Sequence, residues 1–184
     1  GLMNASYPEG TAPTLYTWQN VQAMANWSGV EYAFASLLLE NHRFTEARSL
    51  AESVEKRYRY AGRTFNQEEC GDYYYRPLSS WTMMLSLSGF RLDAARKWLR
   101  LSLLPEVRKI PWFSPTGCGK LIRHEGILRL ECGEGMLKFR SLLCNGLPKP
   151  VKLLQNGTAL PLDLAEDGTI LSEVCLNAGD ILEI

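Results

Sequence analysis

Trp27-Ser28-Gly29-Val30-Glu31-Tyr32-Ala33-Phe34-Ala35-Ser36-Leu37-Leu38-Leu39 is apolar on nearly every side of a helical wheel. A helix with no wide polar stripe is buried on most faces. Asn26 or Ser28 is placed to cap its first turn. Downstream, Ala47, Leu50, Ala51, Val54 and Tyr58 recur at helical spacing over residues 45–60, and Glu46, Glu52, Glu55, Lys56 and Arg59 fill the other faces. That pattern predicts an amphipathic outer helix, ended by Gly62. A third helix is expected from Pro77, a residue suited to a first turn, through Leu78, Trp81, Met84 and Leu85 to a stop at Gly89. A further amphipathic helical piece is expected over residues 92–101, with Ala94, Ala95, Trp98 and Leu99.

After Pro105 the period changes. Gly and Pro become frequent and apolar residues alternate in short runs. Ile127-Leu128-Arg129-Leu130 and Met136-Leu137-Lys138-Phe139 flank Gly133-Glu134-Gly135, which reads as a hairpin. Val151-Lys152-Leu153-Leu154 precedes the turn pair Asn156-Gly157, Asp167-Gly168 supplies another turn, and residues 170–176 and 181–184 read as strands. The expected fold is α+β: a helical half over residues 1–110, then an antiparallel β unit of about five or six strands over 111–184. The change of pattern falls between residues 105 and 120.

Composition narrows the functional classes. Lys plus Arg and Asp plus Glu are 20 each, so the formal net charge is zero. A balanced chain has no long-range attraction for nucleic acid or anionic membrane. Hydrophobic residues make up 46%, enough for a packed core. The apolar runs are far shorter than the roughly 20 residues a membrane span needs. Cys70, Cys118, Cys132, Cys144 and Cys175 are widely spaced and form no C-x-x-C pair. With only His42 and His124 beside them, no zinc site is expected, and no cofactor is called for. Unpaired thiols point to a reducing compartment and favour the cytoplasm. The Asn-x-Ser/Thr triplets at Asn4, Asn26 and Asn156 read as chance. Residues 1–4 do not begin a signal peptide.

The chemistry concentrates in Asn66-Gln67-Glu68-Glu69-Cys70-Gly71-Asp72-Tyr73-Tyr74-Tyr75-Arg76, between two helices. Sugar recognition needs this mixture: carboxylates and Arg hydrogen-bond hydroxyls directionally, and aromatic rings cover the C–H face of a pyranose. A solvated loop with a local Arg–carboxylate pair accounts for the same composition. Glu69 and Asp72 alone are a weak sign of catalysis, although glycosidases do use two carboxylates about 5 to 9 Å apart. Trp27 and Trp81 read first as core residues on apolar helices, with a place lining a sugar cleft as the other option. His124 reads as structural, and Asp163, Glu166 and Asp167 form an acidic turn with too few ligands for calcium.

The stretch from Arg63 to Phe90 resembles family 116 of the glycoside hydrolases, the non-lysosomal glucosylceramidase or bile-acid β-glucosidase-like family. The matching residues are Asn66, Glu69, Cys70, Gly71, Asp72, Tyr74 and Arg76, then Leu87-Ser88-Gly89-Phe90. Upstream, Trp27-Ser28-Gly29-Val30-Glu31-Tyr32-Ala33 is similar to the family's Trp-Thr-Gly-(Val/Ile)-x-Tyr helix start. The resemblance implies that the helical half is part of an (α/α)6 barrel, and that residues 92–101 form a strand-like stretch rather than the helix read from their composition. It further implies a retaining β-glycosidase whose Glu nucleophile and Asp acid/base lie on segments preceding this chain. No catalytic residue therefore falls here. The positions implied to bind hydroxyls are Gln67 and Arg76, joined by Glu69, Asp72, Tyr74 and Trp27 as sugar-binding residues. Gln67 stands where the family has Glu, so an amide with one acceptor oxygen and an NH₂ donor replaces a carboxylate. Tyr73, Tyr75 and Ala25 are further departures.

The expected function is a C-terminal portion of a β-glycosidase that contributes sugar-binding residues, inactive as the isolated 184 residues. Its partners would be a β-glucoside or related glycoside, and either the rest of the barrel or a second copy against exposed helix faces. The alternatives are a non-catalytic carbohydrate-binding domain derived from that fold, and a helical scaffold with a β cap that binds another protein.

Overall fold

The computed structural model describes residues 1–5, 7–9, 25–63, 76–147 and 149–184, with the backbone alone at 76 and 77. The chain forms two compact units, Gly1–Met83 and Met84–Ile184.

In the first unit, α1 spans Ser28–Glu40 and α2 spans Phe44–Tyr60. A 3-10 turn, Arg76–Ser79, leads into α3, Ser80–Ser88. These elements fall where the period of the sequence puts them. Trp27, in extended backbone, is the N-cap of α1: its carbonyl accepts from the N–H groups of Val30 and Glu31, both at 3.0 Å. No side chain caps this end, so neither Asn26 nor Ser28 has the expected role. The C-terminus of α2 closes as expected on Gly62, at φ +68°. The Gly62 N–H donates to Arg59 O at 3.1 Å and the Arg63 N–H to Tyr58 O at 2.9 Å, a Schellman pair. Ala35, Leu38 and Leu39 of α1 pack inward, as do Ala47 and Val54 of α2.

The all-round burial expected of α1 does not occur. Phe34 is 39% and Leu37 is 55% exposed, on the side away from Ala35 and Leu39. Trp81, read first as core, is 65% exposed.

The second unit is a sheet of ten strands, and it overturns the expected class. The described residues hold three α-helices and one 3-10 turn against ten strands, so the molecule is mostly β, and its first half is not a segment of an (α/α)6 barrel. Two regions of the second unit carry the difference. First, the expected helix over 92–101 is a hairpin, β1 (Arg91–Asp93) and β2 (Trp98–Leu101). Leu99 and Leu101 point into the core while Trp98 and Arg100 share the other face, and that period of two prevails over the helix-forming Ala94-Ala95. The turn is made by Asp93, whose carboxylate accepts the Arg96 N–H at 3.0 Å, and by Lys97 at φ +54°.

Second, the hairpin expected at Gly133-Glu134-Gly135 is a bulge inside one long strand. β3 (Lys109–Ser114) and β4 (Gly117–His124) form a hairpin, and β5 then runs unbroken from Ile127 to Cys144. Gly119 pairs with Cys132 and Cys118 with Glu134, leaving Gly133 as the extra residue. The early half of β5 pairs with β4 and with β10 (Ile181–Glu183). Its later half pairs antiparallel with β9 (Ile170–Asn177) and parallel with β2, so the sheet is mixed rather than purely antiparallel. Short strands β6 (Leu154–Gln155) and β7 (Thr158–Ala159) flank the expected Asn156-Gly157 turn, both of whose residues have positive φ, and β8 (Asp163–Leu164) pairs with β9.

The core lies between the sheet faces: Phe90, Leu99, Leu101, Trp112, Leu121, Leu130, Phe139 and Leu142 are essentially inaccessible. Phe90 and Trp112 stack with centroids 5.1 Å apart, and Trp112 Nε1 donates to Glu131 O at 3.0 Å. Gly119 makes that contact possible, because a Cβ there would sit 1.8 Å from Glu131 O and 2.8 Å from Trp112 Nε1. Among the described residues, no helix is long and apolar enough to cross a membrane.

Candidate functional site

Gln67, Glu69, Asp72 and Tyr74 lie outside the described residues. The framework on either side of them is described. On one side α2 ends at the Schellman turn, and on the other Arg76 is the first residue of the 3-10 turn. Ser79 of that turn donates its hydroxyl to the Gly29 carbonyl at 2.6 Å, and Ser36 and Thr82 share a hydroxyl–hydroxyl bond of 2.6 Å. The turn that begins at Arg76 is therefore pinned to the first turn of α1, which Trp27 caps. Trp27 itself is half-buried.

Beneath this junction is a polar cluster that periodicity did not single out. Glu31 is fully buried in the otherwise apolar α1. Its Oε2 accepts from Arg57 Nη2 of α2, and its Oε1 accepts from the Leu2 N–H at 2.8 Å. Arg57 Nη1 also reaches Ser53 Oγ at 3.0 Å, and the Ser28 and Tyr58 hydroxyls lie 2.9 Å apart. The Tyr32 phenol is pushed above its ordinary value by burial first, then by Tyr58 and Glu31, with Arg57 opposing. The signal for the cluster was a lone Glu in an apolar helix, since a buried charge needs a partner.

Chemically the cluster holds rather than reacts. Both carboxylate oxygens of Glu31 are engaged, one by Arg57 and one by the Leu2 N–H, so the side chain locks α1, α2 and the Leu2 backbone together.

The thiols are unpaired where described: Cys132 is buried, and Cys118, Cys144 and Cys175 are half-buried. Burial pushes the Cys144 thiol up to about 12. Among the described residues, no three His, Cys, Asp or Glu side chains converge to hold a metal ion. His124 is exposed beside Glu125 at 3.8 Å. In the acidic turn, Asp167 accepts the Thr169 N–H at 2.9 Å.

No protein-family model matches the chain. No curated protein matches it either. Among solved structures, a GH127 β-arabinofuranosidase is similar to it at 16% identity and a TM-score of 0.34. The match covers 65% of this chain and 22% of that one. The chain thus spans under a quarter of that protein's length, and a likeness of this size assigns no residue roles. That neighbour is a glycoside hydrolase, of a different family from the one Glu69-Cys70-Gly71-Asp72 resembles.

Proposed function

We propose that this chain is the C-terminal portion of a retaining β-glycosidase, and that it grips the sugar while the nucleophile and acid/base lie elsewhere in the protein. The observation that carries this reading is the run Glu69-Cys70-Gly71-Asp72-x-Tyr74-x-Arg76 together with the seat given to its end. Arg76 opens a 3-10 turn bonded to the first turn of the Trp27-Ser28-Gly29 helix, so the two segments of the resemblance meet in space. In this role Arg76 and Gln67 bind sugar hydroxyls, and Glu69, Asp72, Tyr74 and Trp27 complete the wall. An Arg fork makes charge-assisted bonds roughly twice as strong as neutral ones. Gln67 brings a donor where a carboxylate would only accept, which favours a sugar presenting an acceptor oxygen there.

The exposed apolar side chains fit the same reading. Phe34 and Leu37 of α1, and Leu78, Trp81 and Leu85 on the turn and α3, are the surfaces that the remaining segments of such an enzyme, or a second copy, would cover.

The test is Arg76→Ala in the full-length protein. Loss of a donor to the transition state lowers kcat/KM by about 10²–10³-fold, and unchanged turnover of an aryl β-glucoside would refute the assignment. The isolated 184 residues should not hydrolyse 4-nitrophenyl β-glucoside. A second reading, a carbohydrate-binding domain that has lost chemistry, is favoured by Gln67. Under it the full-length chain binds glucose or deoxynojirimycin by calorimetry and turns over neither aryl β-glucoside nor any other glycoside.

A further inference from the structure

Three hydroxyls of the first unit lie where the 3-10 turn meets α1. Ser79 Oγ donates to the Gly29 carbonyl at 2.6 Å. Thr82 Oγ1 donates to Ser79 O, also at 2.6 Å. The Thr82 oxygen lies a further 2.6 Å from Ser36 Oγ. Ser36 donating to Thr82, and Thr82 donating on to Ser79, use one proton each, so the chain can be made at once. Gly29 and Ser36 are both buried in α1. Ser79 is thus held twice: its hydroxyl by the first turn of α1, and its carbonyl, through Thr82, by a later turn of the same helix.

A 3-10 turn is closed by a bond from residue i+3 to residue i. In the turn Arg76–Ser79, the clasped residue is therefore the one that closes on Arg76. The apolar side chains around the clasp do little to hold it, since Leu78 is 58% and Trp81 is 65% exposed. Directional hydrogen bonds fix the turn on α1 instead.

We infer that Ser79 and Thr82 are positioning residues for Arg76, setting its backbone against α1 so that its side chain meets the sugar in one pose. The inference rests on the glycosidase reading above, in which Arg76 binds sugar hydroxyls. Neither hydroxyl touches the sugar; each acts through the turn.

The experiment is turnover of an aryl β-glucoside by the full-length protein. Ser79→Ala should lower kcat/KM about tenfold to a hundredfold, because misplacement by ~1 Å is worth about a hundredfold. Ser79→Thr, which keeps the hydroxyl, should restore most of the loss. Ser79→Ala added to Arg76→Ala should change kcat/KM by less than about twofold, since nothing remains to be positioned. A hydroxyl that only joins helices would add its full loss to that of Arg76→Ala. The limbs of the pH profile should stay in place, because these hydroxyls do not titrate in the working range. Should Ser79→Ala lose its near-UV circular dichroism, Thr82→Val is the second variant, and it should show the same loss and the same coupling. Undiminished kcat/KM in Ser79→Ala beside a full loss in Arg76→Ala, additivity of the two, shifted pH limbs, or misfolding of both hydroxyl variants would each overturn the inference. Undiminished turnover in Arg76→Ala would instead remove the glycosidase reading and this inference with it, so the two failures are distinguishable.

Discussion

The two units solve the problem of burial differently. The β unit closes on itself: eighteen buried residues form one cluster, and its largest members, Trp112 and Phe139, are 1% exposed. The helical unit puts a fully buried carboxylate in its interior and leaves Phe34, Leu37 and Trp81 in solvent. One unit is stabilised mainly by removal of apolar surface, while the other combines a few buried apolar side chains with a hydrogen-bonded ion pair. The contrast separates a unit with a closed apolar core from one whose large apolar side chains remain exposed.

The hardest blow to the comparison would be struck in the sheet. Phe139→Ala should cost about 3–5 kcal/mol by denaturant unfolding, as expected for an aromatic deleted from a close-packed core. A cost below about 1 kcal/mol would mean that the β core is loosely packed. Next comes Glu31→Ala, which strands Arg57 and the Leu2 N–H; about 3 kcal/mol should be lost, and Arg57→Ala combined with it should add little. Full additivity of the two would show that the pair does not act as a unit. Trp81→Ser should change stability by no more than about 0.5 kcal/mol while reducing self-association in sedimentation. A large loss of stability would show that the helical face is already covered.

The smallest effect concerns acid. Asp180 is held below its ordinary carboxylate range by the Asn177 N–H, at 2.8 Å, and then by the Asn156 amide, at 2.7 Å. Its folded pKa is depressed, so the unfolded chain binds the proton more tightly. The contribution is present above the usual value of 3.8 and fades as pH falls through and below it. Asp180→Asn should flatten the acid limb of the stability curve slightly, by lowering the midpoint a little at neutral pH and leaving it nearly unchanged in strong acid. A steeper limb would reverse the sign.

Much of the helical unit was legible because a period of 3.6 persists over a dozen residues and ends on glycine. Residues 45–60 and Gly62 show this. The strands at 91–101 were implied by the family resemblance but not legible in the residues themselves: Ala94-Ala95-Arg96-Lys97 favours a helix locally, and the deciding influence is parallel pairing of Trp98–Leu101 with Ser141–Cys144, far along the chain. Gly133-Glu134-Gly135 was ambiguous for a related reason. A glycine pair serves a turn and a bulge equally well, and only the partner strand Gly117–His124 selects between them. Of the expected sugar-binding residues, Gln67, Glu69, Asp72 and Tyr74 lie outside the described residues, and the turn that Arg76 opens is bonded through Ser79 to the first turn of the helix that Trp27 caps. Glu31 was passed over because one acid among apolar residues carries no period.

The long strand Ile127–Cys144 has a kinetic meaning. Its early half needs Ile181–Glu183 as a neighbour, and its late half needs Trp98–Leu101, which precedes it by some distance in the chain. Neither partnership is local, so loops on both sides must close before either layer is complete. Chains dominated by such distant pairings fold in milliseconds to seconds rather than microseconds. During that interval the Leu128, Leu130, Leu137 and Phe139 side chains would be without their cover, while the helices need only local contacts to form. The strand that makes the finished sheet cohesive is thus also the one whose assembly a chaperone would have most reason to guard.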